Sequence, residues 1–216
     1  IETIASKKTN LIKWKKGWTW YHSLISLMLK LLICRAIIAM IRIINKGKMT
    51  PTYKTILIGL GATFLIDCWT FLLKLMGIKA QGLVFIGRWI AYMREGKFTH
   101  DTIIGAAGFQ CELIVGWLAH YVVGVSFAFL LVWLYGKRWI NKPTMLPAMI
   151  VALATFSVPV FFVQPALGFG IAFSNMPHQY YLLLRLFLIH VVYGVGLFLT
   201  AKTMQAASYK FMPVNR

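Results

Sequence analysis

Three ionisable side chains fall inside runs that otherwise read as hydrocarbon-facing helix. They are Asp67 in ILIGLGATFLIDCWTFLL, His120 in ELIVGWLAHYVVGVSFAFLLVWL and His190 in YYLLLRLFLIHVVYGVGLFLT. Ionisable groups are costly in a bilayer and concentrate on proton, ion and substrate pathways. Histidine exchanges protons near neutral pH, a carboxylate neighbour favours its charged form, and the same residue types ligate divalent cations. The chemistry expected of the trio is proton or substrate handling, with a metal centre of His120, His190 and Asp67 as the lesser alternative. The competing role is hydrogen bonding across helices that only fixes the packing, at about 0.6–2 kcal/mol per contact.

Position along the helices links these residues. At 1.5 Å of rise per residue, Asp67, His120 and His190 lie roughly 12–14 Å below one membrane surface. Gln164 joins that layer if its own span continues as helix to Phe173. Small residues share the same faces: Gly59, Thr63 and Asp67 recur at four-residue intervals, as do Glu112, Gly116, His120 and Gly124, and Gly194 follows His190 by four. Such faces suit helix–helix contact in lipid, so the polar residues are expected to point into a bundle. Nearer the surface, His100, Asp101 and Glu112 form a second candidate site for acid–base chemistry, with a solvated loop and a helix-favouring first-turn acid as the plainer explanation. Arg185 is placed to snorkel to the interface or to pair with Glu112 or Asp67.

The elements that must position these groups follow from composition. The 216 residues are 59% hydrophobic and 13% charged, with mean hydropathy +0.72. Soluble domains are nearer one half and one quarter. An all-α integral membrane four-helix bundle is expected, since the apolar runs reach about 20 residues without the alternation of a barrel strand. The spans read as about 55–76, 112–135, 146–173 and 181–201. Pro159 and Pro165 should kink or break the third near FVQPALGFG. Between the first two spans, LVFIGRWIAYMREGKFTHD reads as an amphipathic helix lying in the interface.

Residues 1–48 differ in kind. They carry Lys7, Lys8, Lys13, Lys15, Lys16, Lys30, Arg35, Arg42, Lys46 and Lys48 against a single acid, Glu2. They read as a basic N-terminal helical extension upstream of a start at Met49. The apolar run within it is a marginal span or an interfacial helix, because Lys30 and Arg35 interrupt it. The net charge of +18 flanks the spans instead of forming an aromatic-interleaved stripe, which points to the lipid bilayer as partner and away from nucleic acid. Lys54, Lys137, Arg138, Lys142, Lys202, Lys210 and Arg216 fall on one side of the membrane; Lys79, Arg88, Arg94 and Lys97 fall on the other. Both termini are therefore expected in the cytoplasm. Cys34, Cys68 and Cys111 show no paired spacing, and no nucleophile elbow, phosphate loop or zinc-protease helix is present, which leaves the cofactor unknown.

The string Gly87-Arg88-Trp89, then Gly96-x-Phe98-x-His100, Glu112-x-x-x-Gly116-Trp117-x-Ala119-His120-Tyr121 and Gln164-Pro165-Ala166-Leu167-Gly168-x-Gly170, resembles a family of small bacterial inner-membrane proteins, a domain of unknown function (DUF2938). The resemblance covers Met49 to about Lys202. It implies a four-helix inner-membrane protein with His100, Glu112, His120 and Gln164 among its motif residues, and no assigned activity. Before the last span, Asn175-Met176-Pro177 replaces the Thr-Pro-type turn that the family leads one to expect. The reading that results is a small membrane protein handling a proton or polar solute, with a homodimer expected because four helices are few for a transporter. The alternatives are a membrane-embedded enzyme acting on a lipid-like substrate and a structural accessory subunit.

Overall fold

The computed structural model describes residues 49–78 and 82–210, with side chains as far as residue 207. The basic stretch 1–48, with its expected extension helix, lies outside them, as does Lys79. Apolar length dictates the main elements: among the described residues, four helices are long and apolar enough to cross a membrane, Pro51–Leu75, Glu112–Tyr135, Met145–Ala166 and Gln179–Ala207. Among the described residues every regular element is helical, and the protein is a multi-pass membrane protein. We number the helices α1 (Pro51–Leu75), α2 (Gly82–Met93), α3 (Glu112–Tyr135), α4 (Lys137–Asn141), α5 (Met145–Thr155), α6 (Gln164–Ala166) and α7 (Gln179–Lys210).

Small residues set the seams. Gly59 of α1 lies against Val125, Gly124 and Ala128 of α3, and Gly196 of α7 lies against Ala62 of α1. Gly194 packs on Met149 and Ala152 of α5. Backbones approach closely at each of these points, which is how helices associate in lipid. The core between them holds Ile58, Ala62, Ile66, Ala128, Leu131, Val151, Ala152, Tyr193 and Leu197. One end of the bundle is rich in Lys54, Lys137, Arg138, Lys142 and Lys202; the other is covered by α2, the connector 94–111 and the loop 167–178, and we call it the capped end.

The third span stops at Ala166 and does not run to Phe173. Pro159 has no N–H to give the helical ladder, and the chain passes it through a π-helical turn, Pro159–Val163, before α6. Gly168 then turns the chain with φ +83°, pressed so close to the carbonyls of Asp101 and His100 that a Cβ would collide with them. His100 N–H donates to Ala166 O and Ile103 N–H to Leu167 O, each at 2.9 Å, which stitches the connector to the end of the span. The helix expected between the first two spans is present as α2, 12 residues long and too short to cross. It ends at Met93, where Gly96 takes φ +76° and Lys97 N–H returns to Tyr92 O; residues 94–101 continue as turn and loop instead of helix.

Candidate functional site

A contact layer fixes the relative level of the helices. Thr63 of α1 touches Gly124 of α3, and the Tyr193 hydroxyl of α7 donates to the Gly124 carbonyl. Four residues toward the capped end from these three lie Asp67, His120 and Ile189, the last beside His190. The three ionisable groups therefore occupy one level, about 12 Å from the capped ends of α1 and α3.

At that level the structure joins two of them. The Tyr121 hydroxyl donates to Asp67 Oδ2 at 2.7 Å, and His120 Nε2 stands 3.4 Å from Asp67 Oδ1. The first is a strong hydrogen bond; the second is an ion-pair distance, slightly long for a bond and closed by a small side-chain movement. The Asp67 and His120 side chains keep 15% and 21% of their surface exposed, so the pair is largely sheltered within the bundle. The Tyr121 ring also stacks on Trp117, with centroids 5.8 Å apart. It lies beside Leu113, Ile114, Trp117 and Leu118, which form an exposed apolar face of α3.

His190 shares the level but takes other contacts. Its Nδ1 donates to Leu186 O at 3.0 Å and its ring meets Phe156 edge-on at 5.4 Å. Those contacts belong to α7 and the third span. Among the described residues, no group of three or more His, Cys, Asp or Glu stands ready to hold a metal ion, the expected set of His120, His190 and Asp67 included. Gln164, unlike these three, does not join the layer. Because the span ends at Ala166, Gln164 belongs to the cap, where it is buried.

The capped end separates the second candidate trio. Glu112 receives two bonds from Arg88, Nε to Oε2 at 2.9 Å and Nη2 to Oε1 at 3.0 Å. Arg88 Nη1 donates to the carbonyls of Ile103 (3.1 Å), Ile104 (3.5 Å) and Ala106 (2.9 Å). The acid is thus engaged in holding the connector, and its partner is Arg88. Asp101 is exposed. His100 is buried, its ring edge-on to Tyr92 at 4.9 Å. Burial pushes the His100 imidazole below its ordinary pKa, Lys97 adds to that, and Asp101 opposes it. Arg185 lies over the Tyr181 ring at 5.6 Å.

Two residues that matter here were not singled out by type and spacing. Arg88 carries the cap and Tyr121 completes the Asp67 group. Both stand beside glycine or histidine in the quoted motif strings, Gly87-Arg88-Trp89 and His120-Tyr121, which is the signal that could have found them. A family model described as a protein of unknown function (DUF2938) matches residues 56–204. No curated protein and no solved structure matches the chain.

Proposed function

We propose, for a chain that belongs to the DUF2938 family of unknown function, that its Asp67–His120 pair handles a proton or a small polar solute within the bilayer. The observation that carries this reading is the shared carboxylate: Asp67 accepts from Tyr121 on Oδ2 and stands 3.4 Å from His120 Nε2 on Oδ1. A carboxylate and an imidazole at that separation exchange a proton with little movement, and the tyrosine hydroxyl orients the carboxylate while they do so.

The surrounding placement is part of the proposal. The lysine- and arginine-rich end, with Lys54, Lys137, Arg138, Lys142 and Lys202, faces the cytoplasm of a bacterial inner membrane, and the capped end faces away from it. Four spans are few to enclose a path, and a homodimer supplies the missing wall. The test is proton or solute flux in proteoliposomes. His120→Ala should abolish pH-dependent flux while membrane abundance and unfolding temperature stay near those of the wild type; unchanged flux at normal abundance contradicts the reading.

One observation favours a second reading, an enzyme acting on a lipid-like substrate. Tyr121 both bonds Asp67 and adjoins the exposed apolar face of α3 formed by Leu113, Ile114, Trp117 and Leu118. An amphiphile lying there would bring its polar group to the carboxylate. Lipid turnover by the purified protein, lost in Asp67→Asn and unaffected by a pH gradient, would favour this reading over transport.

A further inference from the structure

We infer that His100 and Gln164 line a small hydrated site in the cap that binds a neutral hydroxyl group, with water as its ordinary occupant. The two residues are only 7% and 4% exposed. His100 Nε2 and Gln164 Oε1 are each shut off from solvent and have no hydrogen-bond partner among the described residues. An orphaned buried polar atom forfeits its hydration and receives nothing for it, so folded proteins leave few of them. The two sit on segments that are stitched together. His100 N–H bonds Ala166 O at 2.9 Å, and Gln164 opens the short helix that ends at Ala166. Buried waters occupy places of this kind, where otherwise unsatisfied polar groups gather.

The donor and acceptor inventory selects the class of occupant. A hydroxyl donates to the carboxamide oxygen and accepts from the imidazole when Nε2 carries the proton, and water, with two hydrogens, satisfies both atoms in either tautomer. An anion would meet the acceptor oxygen of Gln164 and an imidazole that burial and Lys97 hold toward its neutral form. A metal ion would lack ligands, since among the described residues no group of three or more His, Cys, Asp or Glu surrounds the place. Arg88, the nearby cation of α2, spends its Nη1 on connector carbonyls and its Nε and Nη2 on Glu112. This site is independent of the Asp67–His120 pair.

The test is an experimental structure of the full chain at a resolution that shows water, once in detergent without lipid and once in lipid nanodiscs. Density about 2.6–3.2 Å from His100 Nε2 and Gln164 Oε1 is expected. If it is present in both preparations the occupant is water; if it is present only with lipid, it is a lipid hydroxyl. Either supports the site. The inference is overturned if both atoms bond protein groups directly, if no density stands beside them, or if an ion does. A solution measurement guards against ambiguous density. In a sample labelled at histidine nitrogen, cross-relaxation from water to His100 should be seen in the wild type and be lost in Gln164→Leu. Gln164→Met serves if the leucine variant does not fold, and absence of the signal in the wild type contradicts the inference.

Discussion

Arg88 grips Glu112 across 24 residues of chain by two parallel bonds of 2.9 and 3.0 Å, while its remaining nitrogen gathers the carbonyls of Ile103, Ile104 and Ala106. One guanidinium thereby ties α2 to α3 and folds the connector over both. Lysine cannot reproduce the planar fork. With the two side chains only 12% and 18% exposed, Arg88→Lys should cost about 1.5–3 kcal/mol, the range for hydrogen bonds to charged groups. The checks are a lower unfolding temperature in micelles and faster proteolysis within residues 94–111. Glu112→Gln should act alike, and the double variant should lose less than the sum because the two share one interaction.

The same pair of helices is held by glycine. A Cβ at Gly87 would run into the Glu112 carbonyl, and one at Gly116 into the Leu83 carbonyl, both backbone atoms that cannot move aside. Gly87→Ala and Gly116→Ala should therefore each destabilise by about 1–3 kcal/mol, the range for overpacking. At Gly82, nothing stands within 4 Å of the added carbon. Gly82→Ala should be close to neutral in the same unfolding measurement, and equal losses at all three positions would show that the contact is not the cause.

Burial sets a pH dependence at the cap. His100 is held below its ordinary pKa of 6.5, so the unfolded chain binds a proton there more readily than the folded one. Stability from this group is then fully present above the unfolded pKa and declines as pH falls through it, until the folded pKa is passed. The unfolding temperature should drop as the pH is lowered from about 7.5 toward 5, and His100→Gln should remove part of that slope. An unaltered slope in His100→Gln would assign the dependence to other groups.

Much of this architecture was legible from residue order, and the reasons differ by element. Helix α3 starts at Glu112 and ends at Tyr135 as expected, because the apolar run is uninterrupted and Gly136 breaks it with φ +77°. The third span was read too long by seven residues: Pro165 sits at the start of α6, where proline is tolerated, and the glycines that end the run show their positive φ only in the folded chain. Counting from helix ends put Asp67, His120 and His190 at one level, since rise per residue is fixed. Which seam each side chain enters depends on how each helix is rotated, and contacts such as Gly194 against Met149 decide that. For the same reason the partnership of Glu112 with Arg88, and not with His100 or Asp101, could not be read from spacing.

Tyr121 is expected to tune the pair without replacing it. Tyr121→Phe removes the donor to Asp67 Oδ2 and leaves the ring stacked on Trp117. The loss in stability should be about 0.6–1.7 kcal/mol, as for interhelical bonds in lipid. If the hydroxyl orients the carboxylate, flux should fall while its direction and pH dependence persist. Flux identical to the wild type would assign the bond to packing alone.

The central claim is that Asp67 takes part in proton or solute handling and does more than brace α1 against α3. Flux driven by a pH gradient into proteoliposomes, compared between wild type and Asp67→Asn at equal inserted amounts, measures this most directly. Asparagine keeps the shape and the acceptor for Tyr121 but cannot take up a proton as a carboxylate does. Flux is expected to vanish in Asp67→Asn and to return at least partly in Asp67→Glu, with both variants folded. Undiminished flux in Asp67→Asn, or none above empty vesicles in the wild type, would contradict it.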